Sequence, residues 1–385
     1  MSGIEGPARV VRVDRGAVLV LPVGTAGGIA GAIDPGAEPV RVALDHDGTA
    51  PYDNVRHDNA PGAPDGGGVV RDGASGGADG AGVGSERVTP TVGDLVELAT
   101  RPDGTPTIVA VRPRRTAVVR DSVGGTSRTQ ALAASVDLVL VVEHLDPDPR
   151  RGRVERLLAL AWQSGATPVV VLTKADLVPD PEGMTAEIQE VAVGVDVHAV
   201  SVVDGTGLDA VRALLAPGTT VVVLGPSGAG KSTLVNALAG TDVMATGARR
   251  SDGAGRHTTS HRELVPLPSG AMLIDTPGLR GVGVVADPGA LGSTFPDVTA
   301  LAEECRFADC AHVSEPGCAV RAAIEDGDLD ERRFVSWQRL AREAEHQARR
   351  ADSRLAAEQR ARTRRQTVAY HRQLRGRPGG SEGYP

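Results

Sequence analysis

The stretch that decides the fold reads Gly225-Pro226-Ser227-Gly228-Ala229-Gly230-Lys231-Ser232. It follows an apolar run at residues 221–224 and precedes a run with helical spacing that begins at Thr233. A Gly-rich loop between a strand and a helix is typical of phosphate binding, because the glycines let the backbone approach and the helix N-terminus points its N–H groups at the anion. We therefore predict a nucleotide-binding loop, with Lys231 on the terminal phosphates and the Ser232 hydroxyl on Mg²⁺.

The segments around this loop alternate between strand and helix patterns. Residues 138–142, 169–172 and 271–274 are further apolar runs, and residues 153–163 have helical spacing. A strand, a helix and a strand at this interval form a βαβ unit, which implies a parallel sheet. We predict an α/β nucleotide-binding domain over residues 116–296.

A second motif indicates which base is bound. Thr173-Lys174-Ala175-Asp176 directly follows a predicted strand, at the edge of the sheet where ligands bind in such folds. The Asp176 carboxylate can accept hydrogen bonds from the ring N–H and exocyclic amine of guanine, a donor pair that adenine lacks. The stem of Lys174 would lie along the base, and Ser201 is a candidate for a backbone contact to the guanine carbonyl. Lys174 and Lys231 are the only lysines in the chain.

The third motif is Asp275-Thr276-Pro277-Gly278, after the run at 271–274. Asp275 is predicted to hold the Mg²⁺ shell, and Gly278 to donate its N–H to the γ-phosphate. Thr258 and Thr259 are predicted as further hydroxyl ligands of the same ion. By itself, Pro277-Gly278 would be equally consistent with a plain turn.

The base-recognition motif precedes the phosphate loop, which reverses the order of an ordinary GTPase. A circular permutation preserves the contacts of a sheet while moving its termini. The chain resembles the circularly permuted GTPases, and most closely the ribosome small-subunit-dependent GTPase A family. The resemblance implies GTP hydrolysis stimulated by the small ribosomal subunit, a role in its late maturation, and binding to its rRNA. A permuted GTPase of the large subunit, and a signalling GTPase whose basic tail binds an acidic protein, are the alternatives.

Two positions differ from common GTPases. Many of these enzymes place a Gln after the Asp-x-x-Gly motif to orient water, whereas this chain has Leu279. His257 corresponds to the family's catalytic histidine and is the predicted replacement; a solvated loop histidine is the alternative. Thr173 stands where Asn is commoner, so it keeps one hydroxyl and loses the amide that normally braces the phosphate loop.

All three cysteines lie close together with one histidine, as Cys305, Cys310, His312 and Cys318. Three thiolates and an imidazole complete a tetrahedral shell for one structural Zn²⁺, with no position open for catalysis. Three buried free thiols are the alternative. The spacing matches the zinc motif of the resembled family, so a zinc-binding α-helical domain is expected over residues 297–385.

The N-terminal part reads as a small β-domain over residues 1–115. Residues 8–21 predict two strands around Gly16, and residues 92–98 and 107–111 predict two more. Residues 58–87 are mostly Gly, Ala, Asp and Pro, which predicts a disordered insertion. Short strands must close or pair their edges, which favours a barrel over a β-sandwich. The resemblance implies an OB-fold.

The formal net charge of −8 hides an uneven distribution. Residues 332–377 hold 14 Arg against 4 acidic residues, a local charge of +10. Such a helix predicts rRNA binding through phosphate contacts, although a solvated face is the bland reading. No apolar run reaches the roughly 20 residues of a membrane span, and no secretory signal is visible, so a cytoplasmic monomer is expected.

Overall fold

The structure is a computed structural model that describes residues 6–14, 16–24, 32–33, 37–44, 50–51, 87–121, 129–244, 263–275 and 287–348. The N-terminal strands are β1 (Gly6–Asp14), β2 (Ala17–Gly24), β3 (Ala32–Ile33), β4 (Val40–Ala43), β5 (Ala50–Pro51), β6 (Arg87–Val88), β7 (Leu95–Thr100) and β8 (Pro106–Val111). The hairpin that joins β1 to β2 turns at Gly16, as predicted.

These strands form a curled antiparallel sheet. Strand β1 pairs with β2 and β7, β2 pairs with β4, and β7 pairs with β8. The two ends of this series, β4 and β8, are in contact, so the sheet bends around one aliphatic core that contains Val10, Val20, Val42, Val96 and Val111. This closure favours the predicted barrel over a β-sandwich.

Three sequence expectations in this part change. The strand predicted at 92–98 begins only at Leu95, because Asp94 accepts the Thr91 N–H in a turn (2.7 Å). A hairpin of β9 (Ala117–Asp121) and β10 (Thr129–Ala134) follows the barrel and was not predicted. Residues 58–86 of the predicted insertion lie outside the described residues, while Arg87 belongs to β6.

A mainly parallel sheet forms the centre of the molecule. Its strands are β11 (Leu138–His144), β12 (Thr167–Thr173), β13 (Val197–Ala199), β14 (Thr220–Leu224), β15 (Glu263–Pro266) and β16 (Met272–Asp275). They lie in the order β13-β12-β11-β14-β16-β15, and only β15 runs antiparallel to its neighbour. Strand β15 also meets β1, with Arg12 opposite Glu263, so the barrel continues the sheet.

Helices cover both faces of this sheet: α1 (Arg151–Gln163), α2 (Pro181–Gln189), α3 (Leu208–Ala213) and α4 (Lys231–Ala239). Side chains alternate along β11, with Val139 and Val141 in one apolar layer and Leu140 in the other. Leu158 of α1 packs in the first layer and Leu234 of α4 in the second. Strands buried on both faces explain the continuous apolar runs of the sequence.

The C-terminal part consists of α5 (Pro288–Thr294), α6 (Pro296–Glu303), α7 (Ala319–Asp326) and a last helix, α8, at residues 331–348. Phe295, Phe334 and Leu340 pack with Leu160 of α1 in a third core. Within residues 287–348 there is no strand, as predicted. Among the described helices, none combines the length and the apolarity that crossing a membrane requires.

Candidate nucleotide site and metal centre

Three of the predicted motifs meet at one edge of the parallel sheet. The phosphate loop follows β14, the Thr173 motif ends β12, and Asp275 ends β16. Strand β14 is flanked by β11 and β16, while β12 is the next strand beyond β11. Because the carboxyl ends of parallel strands lie at the same edge, segments that are far apart in sequence form one candidate site.

Close backbone approach shapes the phosphate loop. A Cβ atom at Gly225 would lie 2.2 Å from the Val142 carbonyl oxygen, so only glycine fits there. Gly230 has left-handed backbone geometry (φ +78°) and is the N-cap of α4. Ser227, Gly228 and Ala229 form the turn between them, and Ser232 and Thr233 lie in the first turn of α4.

Lys231 lies inside this loop. Its Nζ donates to the carbonyl oxygens of Gly225 (2.9 Å) and Pro226 (2.6 Å). The ammonium therefore lies within the curve of the loop, where a phosphate would be bound.

The Thr173 hydroxyl braces the phosphate loop despite the absence of the amide. Its Oγ1 lies 2.7 Å from the carbonyl oxygen of Ala229 and 3.2 Å from that of Glu143. Thr173 is also buried, at 3% exposure. The connection that Asn commonly makes is thus present here as a single hydroxyl contact.

The base-side residues follow directly. Lys174 adopts a left-handed conformation (φ +63°), and its Nζ donates to the Asp146 carbonyl oxygen (2.8 Å). Ala175 and Asp176 lie in the 3-10 turn Ala175–Leu177. The Ala175 N–H donates to the Val200 carbonyl (3.1 Å), which joins this turn to the loop containing Ser201.

The expectation for Ser201 is corrected. Its N–H donates to the Thr206 carbonyl oxygen (2.9 Å), so it is engaged within its own loop. Its Oγ accepts from the N–H groups of Val203 (3.2 Å) and Asp204 (3.3 Å). Ser201 is completely buried and shapes the loop instead of offering its N–H to a base.

The remaining predicted residues are only partly visible. The backbone of Asp275 ends β16, next to β14. The Asp275 side chain, His257, Thr258, Thr259 and Gly278 lie outside the described residues.

The cysteines and His312 form a compact cluster. The ligand atoms of Cys305, Cys310, His312 and Cys318 all lie within 4.8 Å of one another. His312 Nδ1 is 3.5 Å from the sulfurs of Cys305 and Cys318, which are 3.8 Å apart. Zn–S bonds near 2.3 Å and a Zn–N bond near 2.0 Å at tetrahedral angles require separations of about 3.5 Å and about 3.8 Å. The cluster therefore fits a tetrahedral metal ion.

A carboxylate organises the loop that carries His312. Glu315 accepts the N–H groups of Ala311 (3.1 Å), Val313 (2.8 Å) and Ser314 (3.0 Å). Hydrogen bonds from Val313, from its own N–H and from Ser314 lower the pKa of Glu315 to about 2. His312 sits inside this turn in a left-handed conformation (φ +57°). Burial lowers the pKa of His312, which favours the neutral ring that binds metals.

The His312 ring also contacts the last helix. It meets Phe334 and Trp337 edge-on, at centroid distances of 6.1 Å and 5.7 Å. These two rings stack on each other at 5.8 Å. The metal cluster and α8 therefore share one packing unit.

Sequence reasoning missed two groups of polar residues. Glu143, His144 and Arg153 form a network at the end of β11, although only the apolar part of that strand drew notice. Arg333 was counted in the RNA-binding tail, but it is buried and bonded to Glu155 and Asp297. Polar residues directly after a buried strand were an available signal for the first group; a charge count carried none for the second.

The fold and the site define a class of protein, the circularly permuted phosphate-loop GTPases. The sequence model of the family described as RsgA GTPase matches residues 111–285. A small ribosomal subunit biogenesis GTPase RsgA of Streptomyces avermitilis is 52% identical over 271 residues, which cover 69% of this chain and 72% of that one. The chain belongs to the RsgA GTPase family.

Other similarities agree. A protein of the same name from Opitutus terrae is 48% identical over 282 residues, covering 70% of this chain and 77% of that one. The crystal structure of YjeQ from Thermotoga maritima matches with a TM-score of 0.57 at 22% identity, over 89% of this chain and 99% of that one. YloQ, a circularly permuted GTPase, matches with a TM-score of 0.55 at 20% identity, over 89% and 96%. The solved structures confirm the predicted fold class.

Proposed function

We propose that this protein is a Mg²⁺-dependent GTP hydrolase that acts in biogenesis of the small ribosomal subunit. One observation carries the nucleotide part: the phosphate loop and the Thr173 motif lie together, with the Thr173 hydroxyl 2.7 Å from the Ala229 carbonyl. Homologues named for small-subunit biogenesis support the cellular role.

Each predicted residue has a role in this proposal. Residues 225–233 surround the phosphates, with the Lys231 ammonium on the terminal groups. Ser232, Asp275, Thr258 and Thr259 supply ligands of Mg²⁺, and Gly278 donates to the γ-phosphate. Mg²⁺ would neutralise charge that develops on the transferred phosphoryl group. The Thr173 motif takes the guanine, with Asp176 as the acceptor that selects it.

His257 is the proposed group that positions the attacking water, since Leu279 has no hydrogen-bonding side chain. Replacing His257 with Ala should lower turnover and leave GTP affinity nearly unchanged. His261→Ala, in the same part of the sequence, is the matched control. Equal turnover of the two variants would contradict the assignment.

Domain roles follow the proposed division into residues 1–115, 116–296 and 297–385. The barrel would offer an RNA-facing surface, as OB-folds use one sheet face and its loops for this purpose. The metal cluster would hold Zn²⁺ as a structural ion. The Arg-rich residues that follow Arg333 would contact rRNA phosphates. We propose that the protein works as a cytoplasmic monomer.

The deciding experiment measures GTP hydrolysis alone, with purified small subunits and with purified large subunits. The proposal expects slow basal hydrolysis, stimulation by small subunits only, and loss of stimulation at high salt. Stimulation by large subunits instead would favour a large-subunit GTPase. No response to either subunit, together with association that nuclease does not remove, would favour a signalling GTPase with an acidic protein partner.

A further inference from the structure

A buried polar network lies beside the proposed guanine site, at the carboxyl end of β11. Glu143 is fully buried, and its carboxylate accepts two hydrogen bonds from Arg153 of α1, at 2.5 Å and 2.6 Å. A buried carboxylate with a forked Arg contact is rigidly placed. This network therefore provides a fixed support at the edge of the sheet where the phosphate loop lies.

His144 extends that support into the next loop. Its Nδ1 lies 2.8 Å from the Pro147 carbonyl oxygen, and its Nε2 lies 3.4 Å from Glu143 Oε1. A carbonyl oxygen only accepts, so Nδ1 carries the proton in this contact. His144 is 9% exposed and therefore holds residues 145–147 from the inside of the protein.

The loop held by His144 contacts the proposed base-binding residues. His144 is directly opposite Thr173 in the pairing of β11 with β12. The Leu145 N–H donates to the Thr173 carbonyl (2.9 Å). The next residue, Asp146, offers its carbonyl oxygen to Lys174 Nζ (2.8 Å). The position of Lys174 thus depends on the conformation of a loop that His144 holds.

We propose that His144, supported by Glu143 and Arg153, is a positioning residue for guanine-nucleotide binding. It acts through the Asp146 carbonyl, which holds the Lys174 ammonium and so keeps the lysine stem in place for the base. The inference rests on the proposed role of Lys174 and Asp176 in binding guanine. It adds a residue on a third segment, which none of the nucleotide motifs includes.

Two isosteric substitutions test the specific hydrogen bond. His144→Asn places an amide N–H near the position of Nδ1, whereas His144→Gln places it near Nε2 and loses the contact with Pro147. We expect His144→Gln to raise the KM for GTP about 3- to 10-fold, with kcat within about twofold of the wild type. His144→Asn should keep both parameters within about twofold of the wild type. A structural role alone would not produce this split between KM and kcat or the rescue by Asn.

A second comparison tests the route through Lys174. In a Lys174→Met background, His144→Gln should raise KM less than about twofold, because the group that it positions is gone. Full additivity of the two substitutions would overturn the proposal. So would an unchanged KM in His144→Gln, an equal rise in His144→Asn, or a fall in kcat with KM unchanged.

A measurement on the wild-type protein remains decisive even where a variant fails to fold. Binding of GDP should slow amide hydrogen exchange in the peptide that contains residues 144–148, and unchanged exchange there would overturn the proposal. Lys231→Ala separates the two levels of inference. If it leaves the KM for GTP unchanged, the proposed function fails, and this inference with it. If it raises KM while His144→Gln does not, only the positioning role fails.

Discussion

The Thr173 hydroxyl lies 2.7 Å from the Ala229 carbonyl oxygen, which ties the end of β12 to the phosphate loop. These residues are 56 positions apart in the chain. The contact holds the two halves of the proposed nucleotide site at a fixed separation. It also shows that Thr at this position preserves a bracing contact.

Removing that hydroxyl tests the brace. Thr173→Val keeps the shape of the side chain but leaves the Ala229 carbonyl without this donor. We expect the Kd for GDP to rise about 3- to 10-fold, which corresponds to loss of one hydrogen bond. Equilibrium titration with GDP measures the change. Thr173→Ser, which retains a hydroxyl, is the matched control, and equal weakening in both variants would contradict the explanation.

Arg333 is expected to be a stability determinant. Its guanidinium bonds to Glu155 (3.1 Å) and Asp297 (2.8 Å) and stacks 4.9 Å from the Phe295 ring centre. Burial already raises the pKa of Glu155, so removing its cationic partner leaves a costly carboxylate. Arg333→Met should lower the free energy of unfolding by about 3–5 kcal/mol, measured by denaturant titration.

The neighbouring arginine is the control for that measurement. The Arg332 side chain is 73% exposed and pairs with Asp330 at the surface. Arg332→Met should cost about 0–1 kcal/mol. Similar losses for the two variants would show that Arg333 does not have the structural role assigned to it.

Metal removal is expected to loosen α8. Trp337 packs against His312, and the chain has only two tryptophans. In a Trp162→Phe variant, chelation should shift the Trp337 emission to longer wavelength as the ring becomes hydrated. Added Zn²⁺ should reverse the shift. An emission spectrum that does not respond to chelation of a metal-loaded sample would contradict the link between metal and helix packing.

Glu315 is expected to tune the metal site without binding the ion. Its carboxylate accepts three neighbouring N–H groups and holds His312 in its left-handed turn. Glu315→Gln should weaken Zn²⁺ affinity about 10-fold or more, since supporting groups of this kind typically have such effects. Competition with a chromophoric chelator measures it. Glu325→Gln, on the exposed side of α7, should leave the affinity unchanged.

Much of the nucleotide site was predictable because its signals are local. The Gly-rich loop, Lys231 and the Thr173 motif each occupy a few consecutive residues after an apolar strand. The clustering of Cys305, Cys310, His312 and Cys318 was local in the same sense. The β9–β10 hairpin lacked such a mark, and its short strands were not recognised.

Other features depend on contacts between distant segments. Composition alone treats Arg333 like the arginines around it, yet its environment includes residues from α1 and α6. The Ser201 N–H was expected at a base and is instead bonded to Thr206. Short-range patterns indicate where a loop starts, but they do not report which of its donors the folded loop uses itself.

The sequence by itself determined the chemistry of the site: a phosphate loop, a guanine-selecting carboxylate, a Cys3His cluster and the permuted order of the motifs. Those properties follow from residue type and spacing within short segments. The tertiary structure decided which groups support them, namely Thr173 on Ala229, His144 on the Asp146 loop and Glu315 beneath His312. Hydrogen bonds depend on distances of a few ångströms, and between distant segments only the folded sheet and its helices set such distances.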